Sequence, residues 1–376
     1  MPSSGHRSSG RNPHPDAVRV TALMGICIVN VPFMALPVEA SLVPPSAALD
    51  QVAAFLVEGL FQAKFFLLFS FLFGWSLHQQ AQSAQKKGVS FNRRYARRLS
   101  GLAVLGVLHA VLVFNGDILL LYVLLGLVIW PLRQRDPATL IRIALTMVPL
   151  GVVSLTSLGI LLPDTLSSGT TLGGGYWEAT RTRWLDWPGT FAFLLLFQGP
   201  LAFAAFASGL AAAKSGFFET PLNRGRVSLN KGLPWLIFFG VTFNLYYAAA
   251  MSWMIPPERG LHSLAGLVVL VLGAPLLSAA YLGLLLKLTE RYTLPDWLMR
   301  AGRNSLSVYV LQGILAGAVF GGYGLGLFGT MGQGALFFVA IAVAVMSMAI
   351  VSVLAKRFER GPLEALLRAW TYGGTP

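Results

Sequence analysis

The stretch Leu105-Gly-Val-Leu-His109-Ala-Val-Leu-Val-Phe-Asn-Gly-Asp117-Ile-Leu-Leu-Leu-Tyr122 sets a histidine and a carboxylate between two apolar runs that extend from Leu99 to Trp130. Runs of this kind belong to lipid-buried helices, where ionisable side chains are costly and usually functional. A neutral imidazole accepts a proton near neutral pH, which makes His109 the first candidate base.

Working outward, the whole chain has the same character. Hydrophobic residues make up 55% of its 376 positions and charged residues only 11%, too few charges to cover a soluble domain of that length. The fold class expected is all-α, a polytopic integral membrane protein of about ten transmembrane helices. Apolar runs between breakers place the spans at 18–36, 53–78, 99–115, 118–132, 140–162, 190–213, 233–254, 264–287, 304–320 and 334–355. Residues 1–15 are rich in Ser, Gly, Pro and Arg and carry no apolar signal-peptide region, so they read as a disordered cytoplasmic tail. Residues 16–355 then form one transmembrane domain, and 356–376 a cytoplasmic C-terminal segment.

The basic residues set an orientation. With both termini cytoplasmic, 24 of the 28 lysines and arginines fall on inner segments, only Arg181, Arg183 and Arg259 fall on outer ones, and Lys64 lies within a span. The net charge of +13 is distributed over every inner loop without interleaved aromatic platforms, which suits orientation and anionic headgroups and argues against nucleic acid. Membrane lipids are therefore the first partners expected. The single cysteine, Cys27, lies in the first span and reads as packing; a lone cysteine allows no internal disulfide and no cysteine metal cluster.

Several further polar groups lie at membrane depth. Glu58 and Gln62 share a face of the second span, whereas Lys64 points elsewhere and is expected to pair with a carboxylate from another helix. Asn30 and Asn244 either tie helices together or touch a ligand. Arg98 and His109 are three helical turns apart, on nearly one face and about 16 Å apart along the axis. Asp117 either caps the fourth span or orients His109, and His109 is either a satisfied core residue or a base. The outer connection from Pro163 to Gly189 carries Tyr176, Trp177, Arg181, Arg183, Trp184 and Trp187, as an interfacial belt or as a lid over an outward cavity. No paired metal-ligand spacing, Walker loop or Gly-x-Ser-x-Gly elbow is present, so no metal site and no bound cofactor are expected.

These residues resemble the DUF418 (YeiB-like) family of bacterial membrane proteins, which is similar in its first helices to the transmembrane acyltransferase superfamily of heparan-alpha-glucosaminide N-acetyltransferase. The resemblance rests on several motifs together. They are Asp16-Ala-Val-Arg19 with Asn30, Lys64-Phe-Phe-Leu-Leu-Phe-Ser-Phe-Leu-Phe-Gly74, Arg93-Arg-Tyr-Ala-Arg-Arg98, Gly106-Val-Leu-His109, Gly116-Asp-Ile-Leu-Leu-Leu-Tyr122, Gly302-Arg-Asn-Ser-Leu-Ser-Val-Tyr309 with Gln312, and Gly361-Pro-Leu-Glu364 with Arg368. It departs at Val20, where the family has glycine, and at Leu306-Ser-Val-Tyr309, where it has Leu-Thr-Asn-Tyr. What the resemblance implies is a multi-pass protein of the bacterial cytoplasmic (inner) membrane. It would move an acyl group from cytoplasmic acyl-CoA, as co-substrate, to an outer-face acceptor such as a glycan or lipid. His109 would be base or acyl carrier with Asp117 behind it, Lys64 or Asn115 would stabilise the oxyanion, and Arg94, Arg97, Arg98 and Arg19 would hold the donor's phosphates.

Two other classes stay open beside it. A secondary transporter would use Glu58, Lys64, His109 and Asp117 as an ion or proton relay. A non-enzymatic membrane component would present the Trp-rich segment to a partner. Association into a homo-oligomer is compatible with each.

Overall fold

The computed structural model describes residues 12–37, 45–161, 174–252 and 260–373, and every regular element among them is helical. In chain order these are α1 (His14–Ala35), α2 (Ala48–Leu56), α3 (Lys64–Lys86), α4 (Phe91–Leu112), α5 (Leu119–Ile129), α6 (Pro137–Leu161) and α7 (Tyr176–Lys214). They continue with α8 (Arg224–Met251), α9 (Gly260–Arg291), α10 (Asp296–Arg303), α11 (Ser305–Phe320), α12 (Gln333–Phe358) and α13 (Pro362–Tyr372). Eight stretches among the described residues are long and apolar enough to cross a membrane, α2 and α3 counting as one.

Two of the ten expected spans are too short to cross alone. The 11 residues of α5 and 16 of α11 rise roughly 16 and 24 Å against a hydrocarbon core of about 30 Å. The run expected at 118–132 ends early because Trp130-Pro131 turns into a short 3₁₀ segment, Pro131–Gln134. Irregular backbone at such depth is tolerated where protein satisfies it. Here Asp117 Oδ1 accepts from the amides of Leu119 and Leu120, at 2.8 and 3.3 Å, and the amide of Ile118 donates to the Tyr309 hydroxyl at 3.4 Å.

The second span, expected as one helix over 53–78, is broken. A π-helical turn, Val57–Phe61, is followed by Ala63 in the left-handed region at φ 69°. The break folds Lys64 back, so that its Nζ donates to the backbone carbonyl of Glu58 at 2.9 Å. Lys64 is therefore held by its own span, and the carboxylate partner expected from another helix is replaced by this carbonyl. The Tyr247 ring lies 5.8 Å from Nζ.

The connection expected over Pro163 to Gly189 is helix from Tyr176 onward; its residues 163–173 lie outside the described residues. Ala179, Thr180 and Arg183 bury one face of this first part of α7, while Trp177 and Trp184 stay exposed. Of the expected tail, residues 1–11 lie outside the described residues, and α1 begins at His14 with Pro15 in its first turn.

The bundle is centred on α1, which packs against α3, α10, α11 and α12, with Ala17, Ala22 and Leu23 fully covered. Small residues let α3 and α7 approach closely. A β-carbon at Gly74 of α3 would lie 2.0 Å from the Phe206 carbonyl oxygen, and one at Gly209 of α7 would lie 1.8 Å from that of Phe71.

Candidate functional site

His109 sits near the C-terminal end of α4, and Asp117 on the short turn that leads the chain into α5, so the loop is just long enough to fold the carboxylate back onto the imidazole. Nδ1 of His109 and Oδ2 of Asp117 are 2.8 Å apart, with the side chains 2% and 1% exposed. Because the carboxylate oxygen accepts, Nδ1 carries the proton and Nε2 presents its lone pair. The two roles open to Asp117 are thus combined: one oxygen caps α5 and the other fixes the ring. Nε2 is buried and has no hydrogen-bond partner among the described residues.

A third group completes this arrangement. Tyr309, on α11, donates its hydroxyl proton to Asp117 Oδ2 at 3.3 Å, and its ring centroid lies 5.1 Å from that of His109. The Ser-Val substitution in the late motif therefore leaves the tyrosine that reaches the site in place.

Tyr309 also lines a cavity of about 320 Å³, together with side chains of α1, α3, α4, α5, α11 and α13 and Arg303 of α10. Part of its wall is apolar, with Leu23, Ile26, Phe69, Leu72, Leu102 and Leu119. Five guanidinium groups line it: Arg19, Arg98, Arg303, Arg360 and Arg368. The two carboxylates nearby are engaged. Asp16 bonds Arg19 at 2.7 Å, and Glu364 accepts from the amides of Leu306 and Ser307 and from the Ser307 hydroxyl. Burial pushes the Glu364 carboxyl above the usual carboxylate range, and the Ser307 hydroxyl and amide hold it partly down. The cavity consequently carries excess positive charge, with Arg303, Arg360 and Arg368 exposed, an arrangement that suits clustered phosphates.

Of the residues chosen from sequence, the structure brings His109 and Asp117 together, while Arg19 and Arg98 line the cavity whose wall includes Tyr309, the residue that bonds Asp117. Arg94 and Arg97 lie outside that lining: Arg94 stacks over Tyr372 at 4.8 Å, and Arg97 is exposed. Lys64 belongs to a separate buried group with Glu58 and Tyr247, whose hydroxyl donates to Glu58 Oε2 at 2.8 Å. The Asn115 amide donates to the Thr190 hydroxyl of α7 at 3.4 Å. Asn244 is fully buried and donates to the Gly240 carbonyl at 2.7 Å, tying α8 internally beside α9.

The sequence does not reveal that Tyr309, Arg303, Arg360 and Arg368 share one cavity with Arg98, nor that Arg183 caps α4. Spacing alone sets Arg183 in an interfacial belt or lid, yet it is 3% exposed. It caps the C-terminal end of α4 by donating to the carbonyls of Val111 and Leu112 at 3.0 and 3.1 Å. The hydroxyl of Tyr176 donates to the Leu112 carbonyl as well, at 3.1 Å. A signal for this exists in the sequence, since a cation that runs against the charge asymmetry has to be held by something other than orientation.

The description "Protein of unknown function (DUF418)" belongs to the family profile that matches residues 212–374, a stretch that supplies Arg303, Tyr309, Arg360 and Arg368 but neither His109 nor Asp117. The similarity to individual relatives runs further. The chain is 27% identical over 398 residues to an uncharacterized Bacillus subtilis protein, YxaH, covering 95% of this chain and 93% of the relative. It is 30% identical over 389 residues to an uncharacterized Escherichia coli protein, YeiB, covering 96% of each. No solved structure matches. A likeness that runs over nearly the whole chain takes in both halves of the site, and the chain belongs to the DUF418 family.

Proposed function

We propose that this multi-pass membrane protein is an acyltransferase that takes acyl-CoA into the arginine-lined cavity and passes the acyl group to an acceptor beyond His109. The observation that carries the reading is that Tyr309 belongs both to the cavity wall and to the dyad. Five arginines line a cavity that Tyr309 also lines, and Tyr309 bonds the same carboxylate oxygen that holds Nδ1 of His109. The donor's phosphates would lie against Arg98, Arg303, Arg360 and Arg368 while the extended arm runs along the apolar part of the wall toward Tyr309. His109 would then take the acceptor's proton at Nε2, the imidazolium being stabilised by Asp117. The Tyr309 hydroxyl would turn to the thioester oxygen as negative charge develops there. Both termini and the segment 79–98 face the cytoplasm in this reading, so the donor enters from the inner side of the bacterial cytoplasmic membrane.

The relay of a secondary transporter is less well supported, because its four groups divide into two. Glu58 and Lys64 are held at the α2–α3 break with Tyr247 of α8, whereas His109 and Asp117 bond each other and Tyr309 of α11.

Membranes containing the protein, supplied with acyl-labelled acetyl-CoA, test the proposal. Label should move into a lipid or glycan fraction with the wild-type chain and fail to do so with His109→Ala. Transfer of equal extent by the two chains would refute it.

A further inference from the structure

The far side of His109 opens on a second, much smaller space of about 10 Å³, bordered by Asn30, Phe114, Tyr309, Gln312 and Gly313 among others. A single water needs about that much room and two to four polar partners. Two unsatisfied acceptors belong to residues that line it: Nε2 of His109 and Oε1 of Gln312, in residues that are 3% and 4% exposed. Gln312 is oriented by its own amide, which donates to the Leu23 carbonyl at 3.2 Å. Gly313 keeps the ring nitrogen open, since a β-carbon there would lie 2.8 Å from Nε2. Buried acceptors of this kind are costly unless a donor reaches them. A molecule that satisfies both from one atom must carry two hydrogens on that atom.

We propose that this space is a one-water site and that its water hydrolyses the donor thioester, giving the protein an intrinsic acyl-CoA hydrolase activity when no acceptor is engaged. The inference rests on the acyl-transfer reading above. One water hydrogen donates to Gln312 Oε1, which aims the oxygen. The other passes to His109 Nε2 as the oxygen forms its bond to the acyl carbon at the Tyr309 partition, where the cavity and the small space share a wall. Collapse of the tetrahedral intermediate breaks the carbon–sulfur bond. The thiolate departs into the donor cavity and takes up the proton that His109 had gained, and the acid loses its remaining proton to solvent. The products are one carboxylate and one free thiol, with no redox change. His109 is the catalytic base of this step and Gln312 a positioning residue.

The test uses the purified full-length protein with two readouts, equilibrium binding of CoA and thiol release from acetyl-CoA in ¹⁸O-water without added acceptor. The expected result is His109-dependent thiol release with one ¹⁸O in the acetate. Gly313→Ala and Gln312→Leu should each slow release at least tenfold while binding CoA as the wild type does, which also reports that they fold. Wild type that binds CoA and releases no thiol would overturn the hydrolysis and leave the donor reading standing. Hydrolysis at the wild-type rate by both variants, with CoA binding intact, would overturn the one-water site in the same way. Failure of the wild type to bind CoA would overturn both.

Discussion

Asp117 Oδ2 lies 2.8 Å from His109 Nδ1, while Oδ1 of the same carboxylate holds the first amides of α5. One side chain therefore sets both the tautomer of the imidazole and the start of the short helix that follows it. Removing the charge and removing the ring should have different consequences. Asp117→Asn keeps an oxygen for the cap, so the fold survives and transfer should fall by a smaller factor than on loss of the ring. His109→Ala removes the base and should cost roughly 10²–10⁴-fold. Transfer of labelled acyl groups by membranes checks both; His109→Gln at full activity would show that the ring only packs.

Arg183 is a structural prediction of a different kind. Its guanidinium closes the end of α4 beside His109 by reaching the carbonyls of Val111 and Leu112. Arg183→Ala takes its donor from the Val111 carbonyl and leaves the Leu112 carbonyl with Tyr176 alone, and should destabilise the protein by about 1–3 kcal/mol. A lowered thermal midpoint of the purified protein would register it; a midpoint equal to wild type would contradict the cap.

The orientation rests on charge asymmetry and is open to direct labelling, because Cys27 is buried and gives no background. Ser83 and Leu325 are both exposed, on segments expected at opposite faces. Leu325→Cys should react with an impermeant thiol reagent in intact cells and Ser83→Cys only after permeabilisation. The opposite pattern would reverse the direction of transfer.

Glu364 couples α13 to the start of α11 at the cavity. Its folded-state pKa is raised, so the ionised carboxylate is tolerated worse in the folded chain than in the unfolded one. The stabilising contribution is present below the unfolded value near 4.5 and is lost as pH rises through the folded one. Glu364→Gln has no such dependence. The thermal midpoint of the variant minus that of wild type should therefore become more positive as pH rises from 4.5 toward neutrality; a difference that shrinks would contradict the raised pKa.

The helical class and the pairing of His109 with Asp117 are legible in the sequence because both depend on short-range spacing. Apolar runs mark the helices, and a histidine and carboxylate eight residues apart across Asn115-Gly116 can meet only by folding back. The break at Ala63 is not legible, since alanine gives no sign of a left-handed backbone and the run of aromatic residues after it continues the apolar pattern. The two short helices escape for a similar reason: hydropathy measures apolar length, and Trp130 and Phe320 extend an apolar run as readily as they end a helix. The cavity arginines are visible only as topology signals. Arg303, Arg360 and Arg368 are far from Arg98 in the chain and share a cavity with it only through the packing of α10, α11, α13 and α4.

Binding of CoA to the purified protein tests the central claim most directly, because it needs no knowledge of the acceptor. Arg98→Glu and Arg303→Glu change charges that line the cavity. Arg224→Glu and Lys231→Glu change exposed charges on a segment that sets orientation alone; Arg226 is unsuited as a control, being buried and bonded to Glu290. The account predicts saturable binding by wild type and by the Arg224 and Lys231 variants, and at least tenfold weaker binding by each cavity variant, the loss expected for one charge-assisted contact of about 1.5–3 kcal/mol. Equal binding by all four variants, or none by the wild type, would contradict it.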